Sequence, residues 1–442
     1  MCGFAGVARR GGPVSRDVTA TARVLADALA HRGPDGEGTW VSPSRDALLV
    51  HRRLAIIDLD HAADQPMATP DGRFVIAFNG EVYNYRELRE GLQARGERFS
   101  TASDTEVLLR LVALDGPEAL DRVRGMFAFA CWDTIEGSML MARDRFGIKP
   151  LYAAAGPGSI AVASEIGALR LAGLAEPRVS PAGVLGFLAW GSVPAPLTFV
   201  RGIEAVPPGT WWRWTLDGRE LRGQFSDTRR VYQAQPAAES RARDWPRDVG
   251  EAVRDTVRAH LVADVPVGLF LSGGIDSSAL VSAARSLAVP DIDTFTVVFD
   301  DPTSEAADAR LTARAFGTRH HELMVGASLD DDLPRVLSRL DQPTLDGVNT
   351  WYVSRAVAQA GFKVVLSGTG GDEMFGGYPS FGRLPPAVRV ARALGGAWPT
   401  AGRLATRVVP DRLRVRWQQF ADTRGALADA YRVQRGFLMP DE

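Results

Sequence analysis

Cysteine is scarce: Cys2 and Cys131 are the only two in 442 residues. Two cannot build a disulfide framework, and this usage fits a reducing, cytoplasmic compartment. Histidine is nearly as rare. None of the six (His31, His51, His61, His260, His320 and His321) shows the Cys/His spacing of a zinc site. His320 and His321 are adjacent, so in a strand they point to opposite faces and read as an ordinary pair without a metal. A charge excess is also missing, since 51 basic and 53 acidic side chains leave a formal net charge of −2. That balance argues against nucleic acid or an anionic membrane as partner, because either calls for a basic block. No apolar core followed by a cleavage site opens the chain, so no secretory signal is read. One uncharged stretch, VSPAGVLGFLAWGSVPAPLTFV (179–200), holds three prolines and three glycines, which break a spanning helix. It is expected to be a buried connector between domains.

What remains is the composition of a soluble enzyme, 45% hydrophobic and 24% charged. The length exceeds one comfortable hydrophobic core, which predicts two domains. In the first part, residues 18–30 and 105–114 carry apolar residues at helical spacing, and Asp104 stands where it could cap the second helix. RFVIAFNG (73–80) and MFAFACWD (126–133) read as strands, so the pattern is α+β. The polar stretch 226–244 is the linker candidate. From Trp245 the grammar changes. A helix at 247–262, the strand VPVGLFL, a Gly/Ser turn and a helix from about 277 lead into further alternating strands and helices. That alternation predicts a parallel sheet with crossover helices.

FLSGGIDSSALV follows a strand and opens a helix. Gly273 and Gly274 let backbone amides turn toward an anion, and Ser272, Ser277 and Ser278 can donate to phosphate oxygens. Asp276 would repel a phosphate unless Mg²⁺ lies between them. A Walker A loop would place a lysine before the serine, and none is here. S-G-G-x-D-S resembles the pyrophosphate loop of the ATP pyrophosphatases and should occur by chance about once per thousand chains of this length. A second glycine-rich loop, VVLSGTGGDEMFGGYPSF (364–381), carries Asp372 and Glu373. Ligands of open parallel sheets sit beyond the carboxyl ends of strands, so a carboxylate from each loop could share one Mg²⁺ on ATP.

Removal of Met1 would leave Cys2 with a free α-amine beside its thiol, joining nucleophile and base in one residue. MCGFAG, HRGPDG, HRRLAIIDL, FNGEVYNYRELR, SDTEVLL, ARDRFGIKPLY, SGGIDSS and SGTGGDEMFGGY occur in the order seen in glutamine-dependent asparagine synthetases. The chain resembles that superfamily over nearly its whole length.

The resemblance implies a class 2 glutamine amidotransferase domain at 2–214, an N-terminal-nucleophile αββα sandwich. An α/β ATP-pyrophosphatase-type synthetase domain at 245–442 follows. Cys2 would attack the glutamine amide, with Asn79 and the Gly80 N–H matching the oxyanion hole. Arg53 matches the grip on the α-carboxylate, and Glu81 and Asp104 match contacts to the α-amino group. In the second domain, Ser272 to Ser278 would hold pyrophosphate, while Leu271, Val297, Ser367 and Gly368 fall at nucleotide-contacting positions. Asp276 and Asp372 would bind Mg²⁺. Ammonia would pass through an internal tunnel to a carboxylate activated as an acyl-adenylate, with the 179–200 stretch near the expected junction. A homodimer is also implied.

Two departures stand out. Family members carry a glutamate two residues after the second Ser-Gly, where this chain has Thr369, a poor base at neutral pH. They also continue into a helical region with basic residues, including a lysine, that finds no match here, so either this chain is a fragment or its synthetase half is shortened. The resulting expectation is an ATP-dependent amide ligase with aspartate as the default acceptor. The alternatives are an amidotransferase acting on another carboxylate, in natural-product or polysaccharide synthesis, and a glutaminase joined to a non-catalytic nucleotide-binding domain.

Overall fold

The structure, a computed structural model, describes residues 1–233, 244–299, 305–325, 329–423 and 425–435. Twelve strands come first: β1 (Gly3–Arg9), β2 (Gly36–Val41), β3 (Ala47–Arg53), β4 (Met67–Ala68), β5 (Phe74–Val82), β6 (Gly125–Asp133), β7 (Ser138–Arg143), β8 (Tyr152–Gly156), β9 (Ser159–Ala163), β10 (Ile203–Ala205), β11 (Thr210–Thr215) and β12 (Glu220–Gln224). They form two six-stranded sheets, ordered β10-β8-β9-β1-β3-β2 and β12-β11-β7-β6-β5-β4. Phe4 and Ala8 of β1 point inward against Ala77, Ala128 and Trp132 of the other sheet. Ala5 and Val7 point outward onto α1 (Val18–Leu29). The outer face of the second sheet, with Ile76, Phe78 and Phe129, is covered by α2 (Tyr85–Ala94) and α3 (Asp104–Asp115). Both faces of each sheet are therefore buried, and the layers run helix, sheet, sheet, helix. Two further helices, α4 (Ile166–Leu171) and α5 (Pro181–Trp190), follow β9.

The second half alternates as its sequence predicts. After α6 (Thr228–Gln233) come α7 (Trp245–His260), β13 (Val267–Phe270), α8 (Ile275–Ser286), β14 (Asp293–Phe299), α9 (Ala306–Phe316) and β15 (Arg319–Val325). Then follow α10 (Leu329–Arg339), α11 (Gly347–Gln359), β16 (Val364–Leu366) and α12 (Gly371–Phe375). The four strands pair in parallel in the order β15-β14-β13-β16. Helices α13 (Pro379–Leu394), α14 (Trp398–Ala405), α15 (Asp411–Asp422) and α16 (Leu427–Arg435) close the described chain around Trp398 and Phe420.

Several expectations need correction. Ser103, not Asp104, caps α3: its hydroxyl accepts from the Thr105 and Glu106 amides, while the Asp104 carboxylate turns inward to the Val82 N–H. Residues 179–200 are not a buried connector. Pro181–Trp190 is helical, and Val179, Leu185 and Trp190 are exposed, although the stretch does lie at the junction of the halves. Within the linker candidate 226–244, residues 228–233 are helical and 234–243 lie outside the described residues. The second sheet extends past residue 214 to Gln224. The helix expected from about 277 begins at Ile275. His320 and His321 lie on β15 and turn to different partners, Thr294 Oγ1 and Asp293 Oδ1.

One buried carboxylate fixes the turn after β7. Asp144, 1% exposed, accepts backbone N–H bonds from Phe127, Phe146, Ile148 and Lys149 at 3.0–3.2 Å. Asp144→Ala leaves four donors without a partner and should destabilise the first half by about 3 kcal/mol or more. Thermal unfolding of the variant checks this, and an unchanged Tm would refute it.

Candidate active site

Cys2 directly precedes β1, and β1 pairs with β3 so that Gly3 faces Arg52. The register brings the thiol to the start of the next loop, where Cys2 Sγ accepts the Leu54 N–H at 3.3 Å. Around it lies a pocket of about 50 Å³. Its wall includes Cys2, Arg53, Asn79, Gly80, Glu81 and Asp104, the full set expected for one site. Asn79 is 1% exposed, and its Nδ2 is buried without a hydrogen-bond partner among the described residues. A buried, unmade donor is costly in a resting protein and is matched when charge develops on a nearby oxygen. Arg53 is locked by Asp64 Oδ1 at 2.7 Å and by the carbonyls of Asp60 and Asp58, which fixes its guanidinium at the pocket.

Burial dominates the electrostatics of this pocket. It pushes the Glu81 carboxyl up to about 7, against the pull of the Lys149 ammonium and with the push of Asp104. Asp104 is likewise raised to about 6 by burial, offset in part by the Val82 N–H. Burial lifts the Cys2 thiol above its ordinary value, while Leu54, the chain's amino group and Lys149 act the other way. The Met1 amino group, which also lines the pocket, is lowered by burial to about 6. The site thus holds a thiol, an amine near neutrality, two acids that titrate late and two cations.

A larger cavity of about 790 Å³ opens at the carboxyl ends of β13, β14 and β16. Leu271, Ser272, Asp276 and Ser277 come to it from the first loop, and Val297 from β14. Ser367, Gly368, Thr369 and Asp372 come from the second loop. Gly273, Gly274 and Ser278 belong to the first loop and helix turn but do not form its wall. Gly273 has φ +78°, and a Cβ there would lie 2.7 Å from the Asp308 side chain. At Gly371 a Cβ would lie 2.5 Å from Asp276 Oδ2, so a bare backbone is what lets the two loops meet. The cavity wall carries four carboxylates (Asp276, Glu305, Asp372 and Glu373) and, among the described residues, no lysine or arginine. Thr369 Oγ1 sits 2.8 Å from Ser367 Oγ in a hydrogen bond.

Comparison with known proteins matches both halves. A profile described as "Glutamine amidotransferase domain" covers residues 1–225, and one described as "Asparagine synthase" covers 248–440. The chain belongs to the asparagine synthetase family. Among relatives, asparagine synthetase [glutamine-hydrolyzing] 1 of Bacillus subtilis is 35% identical over 86% of this chain and 59% of its own length. Asparagine synthetase B of Escherichia coli is 34% identical over 82% and 62%, and the amidase chry2 of Gibberella zeae 33% over 80% and 55%. The chain spans about three fifths of the length of these relatives.

Measured against the family pattern, sequence reasoning missed Lys149. It is 5% exposed, lines the Cys2 pocket and makes no ion pair within 4 Å among the described residues. Burial lowers its ammonium below the ordinary lysine value, and Glu81 and Cys2 oppose that. A signal was available: the chain contains two lysines, Lys149 and Lys363, against 49 arginines. A compact ammonium kept where the chain otherwise uses guanidinium marks a site at which the two are not interchangeable. Lys149→Met should slow alkylation of Cys2 by iodoacetamide at pH 7.5 and move its rate profile to higher pH. Peptide mass mapping checks it, and an unaltered profile would exclude Lys149 from the electrostatics of the thiol.

Proposed function

We propose that this chain is a glutamine-hydrolysing, ATP-dependent amide ligase, with aspartate converted to asparagine as the default reaction. The observation that carries the reading is the orphaned Asn79 Nδ2, buried in the same pocket as Cys2. With Met1 removed, the Cys2 α-amine takes the thiol proton and the thiolate adds to the glutamine amide carbon. Asn79 Nδ2 and the Gly80 N–H receive the oxygen's developing charge. The C–N bond then breaks, ammonia leaves with a proton from the Cys2 α-amine, and water releases glutamate from the thioester. Arg53 holds the α-carboxylate, and Glu81 with Asp104 holds the α-ammonium.

In the larger cavity, ATP would lie against the Ser272–Ser278 loop with its nucleoside toward Leu271, Val297, Ser367 and Gly368. A wall of four carboxylates with, among the described residues, no lysine or arginine repels phosphate unless a divalent cation lies between, and two of these carboxylates could bind one together with the phosphates. Asp276 and Asp372 would hold Mg²⁺, which neutralises phosphate charge when bound. The acceptor carboxylate attacks the α-phosphorus, pyrophosphate departs, and ammonia displaces AMP from the acyl-adenylate. Free thiols at Cys2 and Cys131 agree with a reducing, cytoplasmic setting. The glutaminase domain, expected at 2–214, is read as running through β12 to Gln224, the synthetase domain as 245–442, and a homodimer belongs to the same reading. Thr369, a hydroxyl where a carboxylate stands in asparagine synthetases, favours a second reading: the same chemistry on a different carboxylate.

The deciding assay follows glutamate, asparagine and AMP together in protein given glutamine, ATP, Mg²⁺ and aspartate. Asparagine and AMP in step support the default acceptor, while glutamate alone points to another acceptor or to a nucleotide-binding half without ligase activity. Cys2→Ala should abolish glutamine use and spare ammonia-dependent synthesis, and Asp276→Ala should do the reverse. Loss of both activities in either variant would contradict two separate sites. Because Glu81 and Asp104 must be ionised to receive an ammonium, the glutamine KM should rise as pH falls through 7 and then 6. A KM constant from pH 8.5 to 5.5 would remove both from that role.

A further inference from the structure

Two hydrogen-bonded links run from the second half of the molecule to the groups that surround Cys2. Lys363, the residue before β16, donates from Nζ to Asp35 Oδ2 at 2.7 Å. The same oxygen accepts the Ala55 N–H at 2.9 Å, and Ala55 follows Leu54, whose N–H donates to Cys2 Sγ. Against the upward push of partial burial, the Lys363 ammonium and the Ala55 amide hold the Asp35 carboxyl below its ordinary value.

The second link starts at Asp341, between α10 and α11. Its two carboxylate oxygens accept the Ile166 and Gly167 amides, each at 2.8 Å. Glu165, the preceding residue, accepts from Arg32 Nη1 at 2.9 Å and bonds His31 Nε2 at 2.9 Å. Arg32 Nε in turn donates to the Cys2 carbonyl at 2.9 Å. Around Asp341 the seam is continuous. Gln342 Oε1 accepts the Phe199 N–H at 3.0 Å, Thr344 bridges to Ser192, and the Leu345 N–H reaches the Gly191 carbonyl at 3.3 Å.

Both links start on segments that run on to the nucleotide cavity. Lys363 leads through β16 to Ser367–Asp372, and Asp341 leads into α11, whose Asn349, Thr350 and Ser354 line the same cavity. The geometry points to Lys363 and Asp341 as positioning residues for the Cys2 nucleophile, acting from the synthetase half through Asp35–Ala55 and through Glu165–Arg32. The inference rests on reading Cys2 as the glutaminase nucleophile. Lys363 is 38% exposed along its side chain, so its pair with Asp35 holds a position rather than the fold. A nucleophile held loosely by its backbone loses rate without losing substrate contacts, which stay with Arg53, Glu81 and Asp104.

The test uses the full chain and glutamate release without ATP. Lys363→Met and Asp341→Asn should each lower kcat about tenfold with the glutamine KM within twofold. Lys363→Arg, which keeps the cation, should recover most of the loss. In double-mutant cycles, Lys363→Met with Asp35→Asn, and Asp341→Asn with Glu165→Gln, should each lose no more than the worse single variant. A kcat within twofold of wild type in both single variants, or losses that multiply in both cycles, overturns the proposal. Failure of one link alone overturns that residue's assignment. Should Asp341→Asn fail to fold, the Lys363–Asp35 cycle decides by itself. Cys2→Ala runs in parallel, and glutaminase surviving there counts against the reading of the pocket, not against the links.

Discussion

The arrangement of the first half depends on one strand being paired on both edges. β1 lies between β3 and β9, with Gly3 opposite Arg52 and Ala5 opposite Ala163, and six of its seven residues are buried. Antiparallel register leaves no freedom in where its first residue lies, because a slip of one position would turn Phe4 out of the inter-sheet core. Cys2 is therefore placed by the pairing of the strand behind it. The same core that makes the sandwich stable aims the thiol at Leu54 and sets Arg53 beside it.

The two cavities then solve opposite electrostatic problems. The one at Cys2 is small and buried, so its carboxyls are pushed toward neutral pH and each cation counts. The one at β13, β14 and β16 is wide and acidic, suited to a highly charged ligand that brings its own counter-ions. The proposed reaction needs both cavities in one chain, since it takes nitrogen at one site and uses it at the other. The seam between them is polar and specific: Asp264 reaches the Asp58 amide at 2.7 Å, Arg124 pairs with Asp255 at 2.6 Å, and the Tyr83 ring packs against His260 at a 40° tilt.

Much of this was legible in the residue order, because the chemistry uses contiguous motifs. MCGFAG, FNGEV and SGGIDSS each put a group proposed to react or to hold ligand beside the glycines its loop needs, and the helix–strand alternation after Trp245 declares a parallel sheet. What stayed hidden depends on contacts distant in sequence. Ser103 displaced Asp104 as the cap because Val82, on another strand, claims the Asp104 carboxylate. The 179–200 stretch looked buried because it lacks charge, yet uncharged residues need not be covered, and Leu185 is not. Lys149 lies within ARDRFGIKPLY, and only folding brings it beside Glu81 and Cys2.

The Lys363–Asp35 pair also gives this protein an unusual chemical address. Apart from the chain's own α-amine, amine-directed acylation, reductive methylation or cross-linking has two targets, and one of them is almost wholly buried. The accessible one sits across the seam between the halves. A single lysine-selective label therefore falls on the seam itself, and its reactivity reads directly whether the Lys363–Asp35 pair is made.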